Sequence, residues 1–377
     1  MKKLTSICLA ACITLGLSGC GGGISPTESG SPAIAPGNNT PSPASEIQVT
    51  EYLSGDYTSL PEDGPTVNLS LGHAMQESTE SHKMLVALKN ALEEYSDGKI
   101  ILTIYPNGQM GSDSEMIASC VAGDIDMVYQ SGSTHATFVP ETMIFDTPFL
   151  FSGYDQDTVE SVLTDSTFRD LYNQANEAGG LVCLMLRSSD TMNLTANRSV
   201  TSMEELKGLK IRTAQSETRM AIWDALGANP TPLAFNELYM ALQNGTVDAQ
   251  DNNLMNAVNS ALYEVQEYLV PTRHMTPSFD LTMNKDTFYS LPQEYQDLIW
   301  EICKDLSAYD YDVAFVMEEY YYDALVEHGT QVCEITDEFL ADMQTAAAPA
   351  VESTKAAVGN DALYDTLYQL LDGGESA

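Results

Sequence analysis

The order in which strand-like and helix-like stretches follow one another constrains this chain most. Residues 66–71 read Thr-Val-Asn-Leu-Ser-Leu, an alternation with the period of a strand. Residues 80–95 then carry Met84, Leu85, Leu88, Leu92 and Tyr95 at helical spacing, and Gly98 stops them. Residues 99–105 are rich in β-branched side chains and run into the turn Pro106-Asn107-Gly108. Residues 116–121 give a second helix, ended by Gly123, and residues 125–129 a third strand. Strand, helix, strand, helix, strand implies parallel strands, because each crossover helix returns the chain to the same end of the sheet.

The pattern returns downstream. Residues 181–186 form an apolar run of strand length. Thr201 or Ser202 is placed to cap a short helix opening with Met203, Glu204 and Glu205. Residues 209–212 give a strand, and residues 216–226 a helix stopped by Gly227. Residues 230–233, Pro-Thr-Pro-Leu, are extended. Asn236 is expected to cap a helix through Leu242 that Gly245 stops, and residues 247–250 give another strand. Two strand-helix modules follow, near 66–190 and 190–270.

The C-terminal third is helical. Tyr295, Leu298, Ile299, Ile302, Leu306, Tyr309, Val313 and Val316 keep helical spacing through a stretch spanning residues 292–326. A last helix near 360–371 packs on one lobe. Two α/β lobes and one long helix suggest a hinged clamshell. Open α/β sheets bind ligands beyond the carboxyl ends of their strands, so two facing sheets enclose a small molecule between them.

The first residues read as a bacterial lipoprotein signal. Lys2 and Lys3 precede an apolar stretch over residues 4–17, too short for a stable membrane span. Leu17-Ser18-Gly19-Cys20 follows, with Cys20 expected to carry lipid after removal of residues 1–19. Residues 20–65 are rich in Ser, Pro, Gly, Thr and Asn, and are expected to be a disordered linker. No later apolar run is long enough for a membrane helix, so the membrane is touched only through the lipid anchor. The expected lobes are residues 66–190 plus about 275–311, and residues 191–274 plus about 312–372.

Charge narrows the partners. The chain holds 16 Lys plus Arg against 54 Asp plus Glu, a formal net charge of −38. Such a surface repels phosphate backbones, which excludes nucleic acid. An acidic protein that binds an anion must use a few placed cations. The candidate arginines are Arg169, Arg187, Arg198, Arg212, Arg219 and Arg273.

Catalytic and metal motifs are missing. His73, His82, His135, His274 and His328 form no H-E-x-x-H pair or other compact ligand cluster. There is no G-x-S-x-G elbow, P-loop or G-x-G-x-x-G fingerprint. Acidic runs such as Asp310, Asp312, Glu318 and Glu319 read as a solvated helix face. Cys120, Cys183, Cys303 and Cys333 show no C-x-x-C spacing and sit among apolar neighbours, and the sequence leaves their pairing open. The residues point to binding without catalysis, metal or cofactor.

Residues 206–253 read LKGLKIRTAQSETRMAIWDALGANPTPLAFNELYMALQNGTVDAQDNN. This wording closely resembles the core of DctP-like solute receptors of tripartite ATP-independent periplasmic (TRAP) transporters. Those receptors show L-K-G-x-K-[IL]-R, then A-L-G-A-x-P-T-P, then E-x-Y-x-A-L-Q-x-G-x-V-D-G-Q-E-N. Gly98-Lys99-Ile100 through Tyr105-Pro106-Asn107-Gly108-Gln109-Met110-Gly111 is similar to the family's G-K-I…Y-P-x-G-Q-L-G, and Asp146-Thr147-Pro148-Phe149-Leu150-Phe151 to its L-P-F-L-F segment. The resemblance runs from about residue 67 to 335.

That resemblance implies a two-lobed, periplasmic-binding-protein-like α/β fold with two mixed, mostly parallel sheets, a strand-exchanged hinge and one long helix across both lobes. It implies capture of a small organic acid (a monocarboxylate, dicarboxylate or sugar acid) outside the cytoplasmic membrane. Delivery is then to the membrane subunits of a TRAP permease, driven by an ion gradient. Arg212 falls on the family's carboxylate arginine and, by alternation, at the carboxyl end of its strand. A guanidinium there can hold a carboxylate with two parallel hydrogen bonds. Asn252 falls on the asparagine of Q-E-N. Many relatives place a second arginine twenty residues before the first, where this chain has Met192, unless Arg187 substitutes. Two-arginine ligands thereby become less suited than a monocarboxylate or sugar acid. Further candidate contacts are His73 and Glu77 after the first strand, Gln130 and Ser131 after the third, and Phe149 and Phe235 as cavity walls. His274 is assigned to hinge support.

Other readings stay open on sequence alone. A similar receptor could feed a sensor kinase, or serve an ATP-driven importer. A lipid-anchored enzyme would need a nucleophile or metal site that the motifs do not supply.

Overall fold

The computed structural model describes residues 43–188 and 191–373. The expected signal peptide, Cys20 and the first part of the expected linker lie outside the described residues. Strands are β1 (Val67–Gly72), β2 (Ile100–Tyr105), β3 (Met127–Ser131), β4 (Leu181–Ser188), β5 (Met192–Ala196), β6 (Lys210–Thr213), β7 (Asn229–Pro232), β8 (Ala249–Asn252), β9 (Tyr268–Met275), β10 (Ser278–Asn284) and β11 (Gln331–Val332).

These strands build two mixed sheets, each the centre of one lobe. The first has the order β2-β1-β3-β10-β4, the second β11-β9-β5-β8-β6-β7. β1 pairs in parallel with β2 and β3, as the crossover order demands. β10 enters antiparallel between β3 and β4, and β5 enters antiparallel between β8 and β9. The chain therefore crosses between sheets three times, from β4 into β5, from β9 into β10 and from β10 to β11.

Helices cover the sheets. The first lobe carries α1 (Glu80–Tyr95), α2 (Asp113–Ala122), the short α3 (Gly132–His135), α4 (Gln156–Thr164) and α5 (Ser166–Ala178). The second carries α6 (Met203–Leu206), α7 (Glu217–Ala225), α8 (Leu238–Gln243) and α9 (Leu254–Asn259). Then follow α10 (Lys285–Ser290), α11 (Gln293–Glu327), α12 (Asp337–Val358) and α13 (Asp361–Leu371). Local signals set the ends. Thr79 caps α1 by accepting from the His82 amide, and Ser112 and Glu115 form a reciprocal capping box on α2. Gly123 closes α2 at φ 83°, a conformation that costs glycine nothing.

Each sheet packs on an apolar core, and the first core also takes in Leu254, Met255 and Val258 of α9 and Leu269 of β9. In the first, Leu69, Leu71, Ile100 and Leu102 pack against Leu85, Leu88 and Leu92 of α1 and against Leu298, Ile299 and Ile302 of α11. Burying each of those leucines contributes about 2 kcal/mol. In the second, Leu194, Ile211, Ala249 and Val270 pack on Ile222 and Trp223 of α7 and Phe339 and Met343 of α12. The 35-residue α11 touches β4 and α1 of the first lobe and α9 of the second.

Asp310, expected on a solvated helix face, is buried and paired with Arg187. Three further sequence expectations need correction. First, the described part of the expected linker is packed, not free. Short 3₁₀ turns at Pro43–Glu46 and Val49–Glu51 lead into a strap whose Ile47, Val49, Tyr52, Leu53, Tyr57 and Leu60 lie against the first core. The Tyr57 hydroxyl donates to Asp305 and the Thr58 amide to Glu301, both on α11. A few apolar residues spread through a Ser/Pro/Gly-rich stretch suffice because α11 offers a ready surface. Second, Asn236 does not cap a helix. It lies inside a 3₁₀ turn, Phe235–Glu237, closed by Glu237 accepting from the Ala234 amide. Third, residues 192–196, 268–275 and 278–284 form strands (β5, β9 and β10) that no clean apolar alternation announces. Buried polar residues such as Asn193, Thr195, Asp280 and Thr282 break their apolar pattern.

The four described cysteines, Cys120, Cys183, Cys303 and Cys333, are buried free thiols. Among the described residues, no helix is long and apolar enough to cross a membrane.

Candidate ligand-binding site

A cavity of about 80 Å³ lies where strand ends of the two sheets face each other. The first lobe contributes Gln130 and Ser131 at the end of β3, Asp113 at the start of α2, and Phe279. The second contributes Arg212 at the end of β6, Asn252 at the end of β8, Met192, Arg219, Phe235 and Asn256. Both sets come from strand ends or the loops and helix turns that follow them, as the fold class dictates.

Arg212 is 3 % exposed. Its Nε and Nη2 both donate to the Leu233 carbonyl, at 3.1 and 2.8 Å, which fixes the guanidinium plane. The Phe235 ring lies 5.8 Å from its Cζ. One long edge of the guanidinium is thus occupied by backbone, and its end-on edge, Nη1 with the second hydrogen of Nη2, is the fork that a carboxylate would meet. Burial pulls the Arg212 pKa down to about 10, against the pull of Asp251, so it stays cationic at neutral pH. Burial alone would raise the Asp251 carboxyl. The His274 ring at 3.8 Å and the guanidiniums of Arg219 and Arg212 outweigh it and hold Asp251 below the usual range.

Gln130 is 2 % exposed, lines the cavity, and neither its Nε2 nor its Oε1 has a hydrogen-bond partner. A buried amide with both ends unsatisfied costs stability, so it marks a place where a donor and an acceptor are wanted. Asp113 is half-buried opposite Arg212. Burial pushes its carboxyl up to about 6, against the pull of Arg212 and His135. The Asn252 side-chain oxygen accepts from the Asn253 amide and from Asn256 Nδ2, which orients both asparagines at the cavity wall. Met192 is 2 % exposed and seals the cavity floor into the second core.

The remaining sequence candidates lie elsewhere. His73 is fully buried and does not line the cavity, its Nε2 3.0 Å from His82 Nδ1. Glu77 is exposed, with Asn107 donating weakly to it at 3.4 Å. Phe149 packs against the second core and gives its amide to the His274 carbonyl, holding a left-handed φ of 58°. Arg187 does not stand in for the arginine replaced by Met192, because it is turned into an ion pair with Asp310 on α11.

Arg219 is one of the six candidate arginines but nothing local singles it out, and nothing in the sequence points to Asp113 or Asn256. They reach the cavity only because the first turns of α2, α7 and α9 point into the cleft. Among the described residues no group of three or more His, Cys, Asp or Glu is arranged to hold a metal.

With this geometry in place, residues 71–357 match the family model DctP, described as bacterial extracellular solute-binding protein, family 7. The chain belongs to the DctP family. The chain is similar to the 2,3-diketo-L-gulonate-binding periplasmic protein YiaO of Escherichia coli, 28% identical over 272 residues, 72% of this chain and 81% of that protein. The sialic acid-binding periplasmic protein SiaP of Vibrio cholerae is 27% identical, over 61% of this chain and 71% of its own. Among solved structures, the sugar acid binding protein DctPAm of Advenella mimigardefordensis in complex with galactonate superposes with a TM-score of 0.75 at 28% identity. That match covers 82% of this chain and 98% of DctPAm. DctP-family proteins are solute receptors of transport systems that act outside the cytoplasm, and the two-lobed fold of this chain is theirs.

Proposed function

We propose that this chain is the receptor of a TRAP-type transporter that closes over a small hydroxylated monocarboxylate of the sugar-acid class and delivers it to the membrane permease, without turning it over. The observation that carries the reading is the pairing, in one cavity, of a buried arginine fork with a buried amide that has no partner. Arg212 would take the carboxylate end-on. Gln130 and Asp113 would take hydroxyls, one as donor and acceptor, the other as acceptor. A second carboxylate finds no free fork at Met192 or Arg187. Galactonate in the DctPAm complex and the diketo acid named for YiaO support the same chemical class. Cys20, as lipidated first residue, would hold the receptor at the outer face of the cytoplasmic membrane.

The test is thermal unfolding against aldonates, uronates, C4-dicarboxylates and simple monocarboxylates, for the native chain and Arg212→Ala. A ligand at about a thousand times its dissociation constant adds roughly 4 kcal/mol and raises the midpoint by several degrees. A sugar acid should shift the native protein and not the variant. A dicarboxylate shifting it more than any sugar acid, or equal shifts in both proteins, would sink the reading.

A further inference from the structure

We infer that Arg219 is a positioning residue that couples the filled cavity to lobe closure, holding α7 of the second lobe against β3 and α3 of the first. The inference rests on the receptor reading but uses different atoms from the carboxylate anchor.

Arg219 is the third residue of α7, counted from Glu217, with Ser216 as the cap. A cation in a first helical turn faces the positive end of the helix dipole, which is unfavourable. The side chain is also only 5 % exposed, and burying a charge needs compensation. Neither feature helps α7 form. Compensation comes from across the cleft. Arg219 Nη2 donates to Ser133 Oγ at 3.0 Å and to Ser131 Oγ at 3.3 Å, both in the first lobe. Its Nε lies 3.8 Å from Asp146 Oδ1.

Asp146 organises the clasp. This fully buried first-lobe carboxylate accepts from Ser133 Oγ on its own lobe. From the second lobe it accepts Thr218 Oγ1 at 2.6 Å and Ser216 Oγ at 3.1 Å. The whole first turn of α7 is thus held by first-lobe groups. Arg219 and its acceptor Ser131 both line the ligand cavity, and the Arg219 Nε has no hydrogen-bond partner. Opening the cleft would separate Arg219 from Ser131 and Ser133. A ligand oxygen beside the guanidinium would add compensation only in the closed arrangement, so filling the cavity favours closure.

The experiment uses the full chain, spin-labelled once on each lobe, with D-galactonate as probe. Arg219→Met, Arg219→Lys and Ser133→Ala are compared with the native protein by inter-lobe distance measurement and by dissociation kinetics. Without ligand, the native chain should populate a short-distance fraction that Arg219→Met reduces and Arg219→Lys partly restores. With D-galactonate, Arg219→Met should dissociate about ten- to a hundredfold faster, with association little changed. Ser133→Ala, which leaves Arg219 in place, should show a smaller loss of the same kind and guards against a folding defect in the arginine variants. Unchanged distance distributions in both Arg219→Met and Ser133→Ala would overturn the inference. If the native chain binds no acid, the receptor reading fails, while the ligand-free distances still decide the role of Arg219.

Discussion

The guanidinium of Arg187 on β4 lies 2.6 Å from the carboxylate of Asp310 on α11, with each side chain 4 % exposed. Tyr129 joins them, donating to Asp310 and accepting from Arg187, and Phe279 lies 5.3 Å from the Arg187 Cζ. This pair ties the strand that leads into the first crossing to the helix that spans both lobes. Removing one partner of a buried pair leaves the other charge uncompensated, at a cost of about 3–5 kcal/mol. Asp310→Ala should therefore lower the unfolding midpoint by several degrees while leaving the ranking of ligands unchanged. A change in which acid binds, with stability kept, would contradict the assignment of Arg187 to structure.

Asp113 should trade stability for binding. Its folded pKa, about 6, lies above the ordinary carboxyl value, so the fold disfavours its ionised form. Its contribution is fully present below about pH 4 and is lost as pH rises through about 6. Asp113→Asn should raise the midpoint of the ligand-free protein at pH 7.5, by at most roughly 2–3 kcal/mol of stability. That advantage should vanish at pH 4, and sugar-acid affinity should fall at least about tenfold. Thermal melts at the two pH values and calorimetry check both halves.

The His73–His82 contact carries the opposite sign. Burial, with His82 beside it, lowers the His73 pKa to about 4. A depressed histidine contributes stability above about pH 6.5 that is lost as pH falls through 4. The His73 ring resonances should stay unprotonated at pH 5.5 in an NMR titration. In His82→Ala the titration should move upward. A native midpoint near 6.5 would show that the ring is not sealed from solvent.

The strap offers a fourth test. A chain beginning at residue 66 loses Tyr52, Leu53, Tyr57 and Leu60 from the face of α11, and leaves Asp305 and Glu301 without their strap partners. Compared with a chain beginning at residue 43, it should unfold several degrees lower, a loss of about 2–4 kcal/mol. Equal midpoints would mean that residues 43–65 behave as the linker their composition suggests.

The sequence by itself determined the local elements and the class of fold. The heptad-like leucines of α1, the glycine stops and the apolar β4 run each depend on neighbours within one or two turns, so their periodicity is written in order along the chain. The same locality put Arg212 and Asn252 at the cavity end of their strands, because a strand's carboxyl end is a local position and the motif around each is continuous.

Only the tertiary structure decided what meets across distance. That β5 and β10 are exchanged between the sheets depends on two crossings that no local period records, and their buried polar residues hid them. Arg187 and Arg219 are indistinguishable as sequence, yet one is turned to Asp310 on α11 and the other into the cleft. Their partners lie far along the chain or in the opposite lobe. The energy that places a buried charge comes from those partners, and only packing brings them within reach.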